Sequence, residues 1–298
     1  MSIAELSNRN ATARTQSLYH LLKVLSGNKM ILGQQESPRT AFADREIEWI
    51  KAATDELPAI RGLDFIHDDY AGVIERAQKW NDQGGIVTIC WHTGIYGNDY
   101  PSSKEESPDW EKLLTPGTEE NQQLLSRWEV AARALNQLQD HDIPVLWRPF
   151  HEFDGQWFWW GKNTDGAAFC RLWQMMYHSF EDIYGLNNLI WVLGYADDVR
   201  AGWDPGTDYF DIAGSDTYRG ETVHKASYDR LKSLYPDKML AFHECGLVPE
   251  TDEFFHSKCV WSWMMPWHSR WLTDNHPDRI RKVYHDERMI TLKRLPAF

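Results

Sequence analysis

The 298 residues carry 31 Lys+Arg against 44 Asp+Glu, a formal net charge of −13, with 42% hydrophobic and 25% charged residues. The acidic excess argues against a nucleic-acid or anionic-membrane partner, since both ask for a basic patch, and no apolar run approaches the roughly 18–20 residues of a membrane span. One number stands out, the 16 Trp, because a core can be built from Leu, Ile and Val.

The chain starts Met1-Ser2-Ile3-Ala4-Glu5, with neither the basic n-region nor the apolar h-region of a secretory signal. It therefore reads as cytoplasmic or as a chain whose leader has been removed. Short apolar runs then alternate with amphipathic stretches. Strands are predicted at 30–34, 58–64, 86–92, 144–151, 188–193, 211–217, 238–243 and 259–264, and helices near 44–54, 71–82, 119–140, 166–184, 223–235 and 278–290. Thr118-Glu119-Glu120 and Thr164-Asp165 supply helix-start chemistry. Eight β-runs interleaved with helices predict a single (β/α)8 TIM barrel. An open doubly wound sheet is the alternative, but no GxGxxG follows the first strand and no GxxxxGK[ST] is present. With no Pro/Gly/Ser linker, residues 1–298 are expected to be one domain. The longest connection, Thr93 to Thr118, contains Tyr96, Tyr100 and Trp110. In a barrel it would sit on the C-terminal face, where active sites of this fold lie.

Polar residues gather at the C-terminal ends of the predicted strands. Strand 2 ends in Asp64, strand 3 in His92, strand 4 in His151-Glu152, strand 6 in Asp216-Thr217-Tyr218 and strand 7 in His243-Glu244, while strand 8 runs into Trp267-His268. Any one of these is explained by a solvated strand end, but their convergence on one rim points to an active site. Glu152 shares parity with Phe150 and Arg148, and Glu244 with Phe242 and Leu240, so alternation predicts both glutamates facing the barrel axis. Two carboxylates facing across a pocket suit glycoside hydrolysis. Trp is clustered accordingly. Gly155-Gln156-Trp157-Phe158-Trp159-Trp160-Gly161 follows Glu152 and reads as a cleft wall, Trp203 follows strand 5, and Trp261, Trp263, Trp267 and Trp271 surround strand 8. Indole faces stack on the C–H faces of sugars, although a buried Trp with its N–H paired is equally a core residue.

No metal centre is expected. Strand 1 carries Gly33-Gln34-Gln35 instead of the HxH of metal-dependent barrel hydrolases, and there is no HExxH. Cys90, Cys170, Cys245 and Cys259 lie far apart without zinc spacing; they read as buried free thiols, with a disulfide or metal ligation as alternatives. Glu36, Asp68 and Asp69 read as solvated loop acids.

The segment Arg148-Pro149-Phe150-His151-Glu152-Phe153-Asp154-Gly155-Gln156-Trp157-Phe158-Trp159-Trp160-Gly161 resembles the R-x-x-H-E-x-x-G-x-W-F-W-W-G signature of the glycoside hydrolase family 26 β-mannanases, retaining (β/α)8 barrels. Gly33-Gln34-Gln35, Trp91-His92, Trp203-Asp204-Pro205-Gly206 through Asp211, Asp216-x-Tyr218, Glu244-x-Gly246 and Trp267-His268 are similar too, so the resemblance runs from strand 1 to strand 8. It implies Glu152 as acid/base, Glu244 as nucleophile and Tyr218 as the hydroxyl that holds the nucleophile. It further implies a substrate site of Trp91, His92, His151, Trp157, Trp203, Asp216, Trp267 and His268, supported by Arg148 and Asp64.

The expected activity is cleavage of internal β-1,4-mannosidic bonds by a monomeric catalytic barrel without a separate carbohydrate-binding module. The partner is a β-mannan or manno-oligosaccharide, and no cofactor is needed. Alternatives are a related retaining hydrolase of xylan or mixed-linkage glucan, a mannobiose-releasing exo-enzyme, or a non-catalytic carbohydrate-binding barrel. The last would have no use for opposed carboxylates. Members of the family are commonly secreted, which favours a removed leader. Two departures stand out: Cys245 beside Glu244 has no assignable role, and 93–118 matches no subsite loop, which leaves endo versus exo action open.

Overall fold

A computed structural model describes residues 6–38 and 40–298; the reading of Met1–Glu5 as leaderless lies outside them. In chain order the elements are α1 (Ala13–Leu25), β1 (Met30–Gln35), α2 (Arg45–Thr54), β2 (Ile60–Asp64), α3 (Tyr70–Asp82), β3 (Ile86–Cys90), α4 (Tyr100–Glu105), α5 (Trp110–Leu113), α6 (Glu119–Asp140) and β4 (Val145–Arg148). There follow α7 (Gly166–His178), β5 (Leu189–Tyr195), β6 (Ile212–Thr217), α8 (Lys225–Leu234), β7 (Met239–Cys245), α9 (Thr251–His256), β8 (Trp263–Pro266), α10 (Arg270–Thr273), α11 (Pro277–His285) and β9 (Met289–Ile290). Strands β1 to β8 pair in parallel in sequence order, and β1 closes the ring by pairing with both β2 and β8. The fold is a (β/α)8 barrel. No helix among the described residues is long and apolar enough to cross a membrane.

Two apolar cores hold it together. Inside the barrel, Ile31, Ile60, Ile86, Leu146, Ile190 and Ile212 pack with Leu18 and Leu22 of α1, which seals the N-terminal end of the ring. Thr12 starts that helix by accepting the amide of Thr15 at 3.2 Å. The periodicity had not singled out this helix, and its function is closure. The outer core lies between the strands and the surrounding helices. Strand 8 begins four residues later than predicted, because Cys259 to Ser262 form an approach in which Trp261 is buried and donates to the Val223 carbonyl at 3.0 Å. The predicted helix 166–184 ends its α-turns at His178 and finishes in a π-turn over Ser179–Ile183.

Alternation explains the site only in part. In β7, Met239 and Ala241 face the inner core while Leu240 and Phe242 face the outer one. Simple parity would therefore turn Glu244 outward with Phe242, the reverse of the sequence argument. The register resolves this: Ser215 pairs with Phe242 but Asp216 with Glu244, and on the other side Phe242 pairs with Met264 but Cys245 with Pro266. The strand thus carries one extra residue, His243, and this bulge resets the alternation. His243 and Glu244 both reach the barrel interior, and Cys245 returns to the outer core as a buried free thiol. Phe150 likewise points outward, packing on Trp128 and Trp159. Strand β4 has already ended, and Glu152 is aimed by a turn in which Phe150 (φ 49°) and Glu152 (φ 55°) are left-handed.

The bulge needs space. Gly194 and Gly214 are register partners across β5 and β6, and a Cβ on either would stand 2.9 or 2.7 Å from the His243 ring. Gly214→Ala should therefore destabilise the fold by about 1–3 kcal/mol through overpacking, read as a lower midpoint in urea unfolding; a wild-type midpoint would refute this account of the bulge.

Candidate active site

The inner core ends in a polar layer at the C-terminal side of the barrel. Its central member is Arg148, fully buried, the last residue of β4. Its Nε donates to Thr88 Oγ1 (3.1 Å), its Nη2 to Gln35 Oε1 (3.1 Å), and its Nη1 to both His243 Nδ1 (3.2 Å) and Glu244 Oε1 (2.9 Å). The other oxygen of Glu244 accepts the Tyr218 hydroxyl at 2.9 Å. Burial pushes the Tyr218 phenol well above its ordinary range, reinforced by the charge on Glu244, so it stays a proton donor. His243 is lowered to about 4, chiefly by burial. It is therefore neutral at physiological pH and accepts from Arg148, while its Nε2 donates to the Tyr195 carbonyl at 3.1 Å.

Glu152 is buried against the aromatic turn that follows it. Burial raises its carboxyl above the ordinary range; hydrogen bonds from Asp216 and Trp157 act the other way, and the charge on Glu244 adds to the rise. The Trp157 indole donates to Glu152 Oε2 at 2.7 Å. Asp216 stands beside it, also raised, by burial and then by the charge on Glu152. The two carboxyls act as a pair that holds a proton. One oxygen each of Glu152, Asp216 and Glu244 lie within 4.8 Å of one another.

On the β2–β3 side, His92 donates to Asp64 through Nδ1 (2.6 Å) and through its backbone amide (3.0 Å). Burial would lower His92, but the Asp64 carboxylate overrides it and raises the imidazole, while Asp64 itself is held near 2 despite its own burial. His92 Nε2 lies 3.2 Å from His151 Nε2. Burial and the neighbouring positive charge push His151 well below 6.5, so His92 is the donor and neutral His151 the acceptor. The remaining His151 proton then sits on Nδ1, which is buried without a partner among the described residues.

These groups floor a cleft of about 960 Å³, whose lining includes Asp64, His92, His151, Glu152, Phe158, Tyr218, Glu244, Trp267, His268 and Trp271. Arg148 and Asp216 lie beneath its floor. Two of the sequence-predicted residues lie elsewhere. Trp91 points to the outer core, its ring near Tyr70 and Arg127, because His92 takes the inward position of that pair. Trp203 packs on Phe153 and Phe169. The run 157–160 also divides. Trp157 is 39% exposed and Phe158 lines the cleft, whereas Trp159 and Trp160 are buried and donate their indole protons to the carbonyls of Thr93 (2.7 Å) and His151 (2.8 Å). Glu36 is not solvated at all; it is 1% exposed and paired with Arg61 and Arg76.

Sequence reasoning gave no role to Thr88, Gln35 or His243, the three groups besides Glu244 that orient Arg148. Of these, His243 had a signal in the repeated His-Glu at the ends of strands 4 and 7. Three groups bring candidate metal ligands together: Asp64–Cys90–His92, Cys90–His151–Glu244 and Glu152–Asp216–Glu244. The Arg148 guanidinium already neutralises Glu244, and His92 neutralises Asp64, so a further cation there would meet like charge. The arrangement is one for handling protons.

A family model, glycosyl hydrolase family 26, matches residues 7–294. The chain belongs to that family. A mannan endo-1,4-β-mannosidase of Thermothelomyces thermophilus is 31% identical, the match covering 98% of this chain and 64% of the relative. Mannan endo-1,4-β-mannosidase B of a Piromyces species is 28% identical over 98% of this chain and 54% of its own length. The family 26 chain thus spans between about half and two thirds of these curated relatives. Among solved structures, a β-mannanase from a symbiotic protist of the termite Reticulitermes speratus, complexed with gluco-manno-oligosaccharide, superposes with a TM-score of 0.89 at 28% identity. That match covers 99% of this family 26 chain and 98% of the other.

The charge assignment of the histidine pair is testable. Asp64→Asn removes the carboxylate that raises His92, so the His92 pKa should fall below the wild-type value, followed by imidazole ¹⁵N shifts across a pH titration. An unmoved His92 would contradict the ion pair.

Proposed function

We infer that this chain is a retaining glycoside hydrolase that cleaves internal β-1,4-mannosidic bonds, with Glu152 as acid/base and Glu244 as nucleophile. The observation that carries the chemistry is the closeness of their carboxylates, with oxygens within 4.8 Å. Retaining enzymes need carboxyl groups about 5–5.5 Å apart, while inverting ones need about 6.5–9.5 Å to admit a water. The family and the mannan-cleaving relatives support mannan as the polymer.

The environments divide the roles. Glu244 accepts from a guanidinium and a phenol and stands ready as an oriented carboxylate. Glu152, raised by burial, carries the proton to the leaving oxygen. Attack by Glu244 on the anomeric carbon breaks the glycosidic bond as Glu152 protonates the departing sugar. Glu152, now ionised, takes a proton from water, which attacks the glycosyl-enzyme and releases Glu244. General acid–base assistance of this kind contributes about 10²–10⁴ in rate. His92, His151, Trp267 and His268, which line the cleft, hold the sugar at the reacting centre, while Asp216 acts from beneath the floor on the proton of Glu152 and Trp157 keeps Glu152 aimed.

Glu244→Ala should abolish turnover of activated aryl β-mannosides, and azide should restore it with formation of the inverted glycosyl azide, identified by NMR; near-wild-type turnover would sink the assignment. Product analysis on galactomannan, linear mannan, xylan and lichenan tests the substrate. Release of manno-oligosaccharides is expected, and cleavage of another polymer without mannan hydrolysis would overturn the mannan reading.

A further inference from the structure

The seam that closes the barrel is short. The ladder between β1 and β8 runs only from Ile31–Trp263 to Leu32–Met264, while β1 continues to Gln35 beside β2. Above Leu32 the two strands are joined by side chains instead. Gln34, fully buried, donates its amide to the carbonyls of Pro266 (3.2 Å) and Trp267 (3.3 Å). Glu46 of α2 is 1% exposed. Its Oε2 accepts the amide of Ser37, beyond β1, at 3.2 Å, and its Oε1 accepts that of Ser269, beyond β8, at 2.9 Å. The first tether holds the start of the segment 267–269, and the second holds its end.

Ser269 needs that anchor. Its backbone (φ 60°, ψ −129°) lies in the left-handed region that favours glycine. A residue with a side chain keeps such a conformation only where its surroundings over-determine it. Placed in this way, the Ser269 hydroxyl stands 2.8 Å from His268 Nδ1. His268 lines the cleft, and burial lowers its imidazole to about 4. The ring is therefore neutral at physiological pH and carries a single proton. A hydroxyl that donates to Nδ1 assigns that proton to Nε2.

We propose that Glu46 and Ser269 are positioning residues of the hydrolase: Glu46 fixes Ser269, and Ser269 fixes His268 as an Nε2–H donor to a hydroxyl of the sugar at the reacting centre. Glu46 is absent from the cleft lining, so it acts only through the loop. The path runs from a carboxylate through an amide and a hydroxyl to an imidazole. It joins the first helix after β1 to the last loop of the barrel. The inference rests on the hydrolase reading above but not on which β-linked polymer is cut.

Two substitutions separate the links. Glu46→Gln keeps the shape of the side chain but offers one acceptor oxygen where two amides need one each. Ser269→Ala keeps the backbone contact and removes only the hydroxyl. Each should lower kcat/KM about 10-fold on the activated aryl β-glycoside of the sugar that the polymer panel identifies. In a His268→Ala background the same substitutions should cost about 2-fold at most, because a path that ends on His268 has nothing left to position. No loss in the wild-type background, or equal losses in both backgrounds, would overturn the proposal, the latter marking a merely structural role. Imidazole ¹⁵N shifts of the intact enzyme give a readout independent of turnover. His268 should carry its proton on Nε2, with the Nδ1 resonance moving in Ser269→Ala; a proton on Nδ1 in the wild type would also overturn the proposal. If Glu46→Gln fails to fold, Ser269→Ala carries both readouts. If the wild type cuts no glycoside, the hydrolase reading falls, and the ¹⁵N shifts still decide whether Ser269 holds His268.

Discussion

A buried guanidinium and a buried carboxylate meet at the axis of the barrel, and the site is arranged around that meeting. Arg148 and Glu244 come from strands on opposite sides of the ring, both almost fully buried, 2.9 Å apart. Desolvating two charges is costly, and their attraction offsets the cost only when their remaining hydrogen-bonding capacity is met. Thr88, Gln35, His243 and Tyr218 meet it. Removing one partner alone would leave a bare buried charge, a loss of about 3–5 kcal/mol, so orientation of the carboxylate and integrity of the barrel top are the same constraint.

Both glutamates reach the cleft by breaking strand regularity. In β7 an inserted histidine turns two consecutive side chains inward. After β4, non-glycine residues at positive φ wind the chain tightly enough to aim Glu152 back over the barrel. Such residues each hold strain of order 1–3 kcal/mol, tolerated where the surroundings over-determine the geometry. Here the Glu152 amide donates to the Gly194 carbonyl at 2.7 Å, and Trp160 donates to the His151 carbonyl. The buried indoles of the aromatic run are the struts of this turn.

The fold was legible because eight β-runs alternate with helices, and the rim because Asp64, His92, His151-Glu152, Asp216 and His243-Glu244 all end strands. Which way each side chain faces was less legible. Period-2 counting cannot see a bulge, so it turned Glu244 inward on the wrong premise, with Leu240 and Phe242 assigned to the axis. It also cannot divide four successive aromatics inside a turn, where Trp157 meets solvent while Trp159 and Trp160 do not. Trp91 and His92 illustrate the same limit, since neighbours in one strand face opposite sides. The rim loops are also joined by contacts that no local pattern reaches, such as the Glu46 carboxylate accepting the amide of Ser269, more than two hundred positions away.

Leu18 and Leu22 close one end of the ring against its first layer of isoleucines, which makes the barrel a blind well with a single mouth. Whatever enters must leave the same way. On the chemistry inferred for Glu152 and Glu244, the departing sugar and the incoming water use one opening in turn, and neither can arrive from below. Water can reach the glycosyl-enzyme only through the space the leaving group has vacated, so one face of the barrel serves both half-reactions.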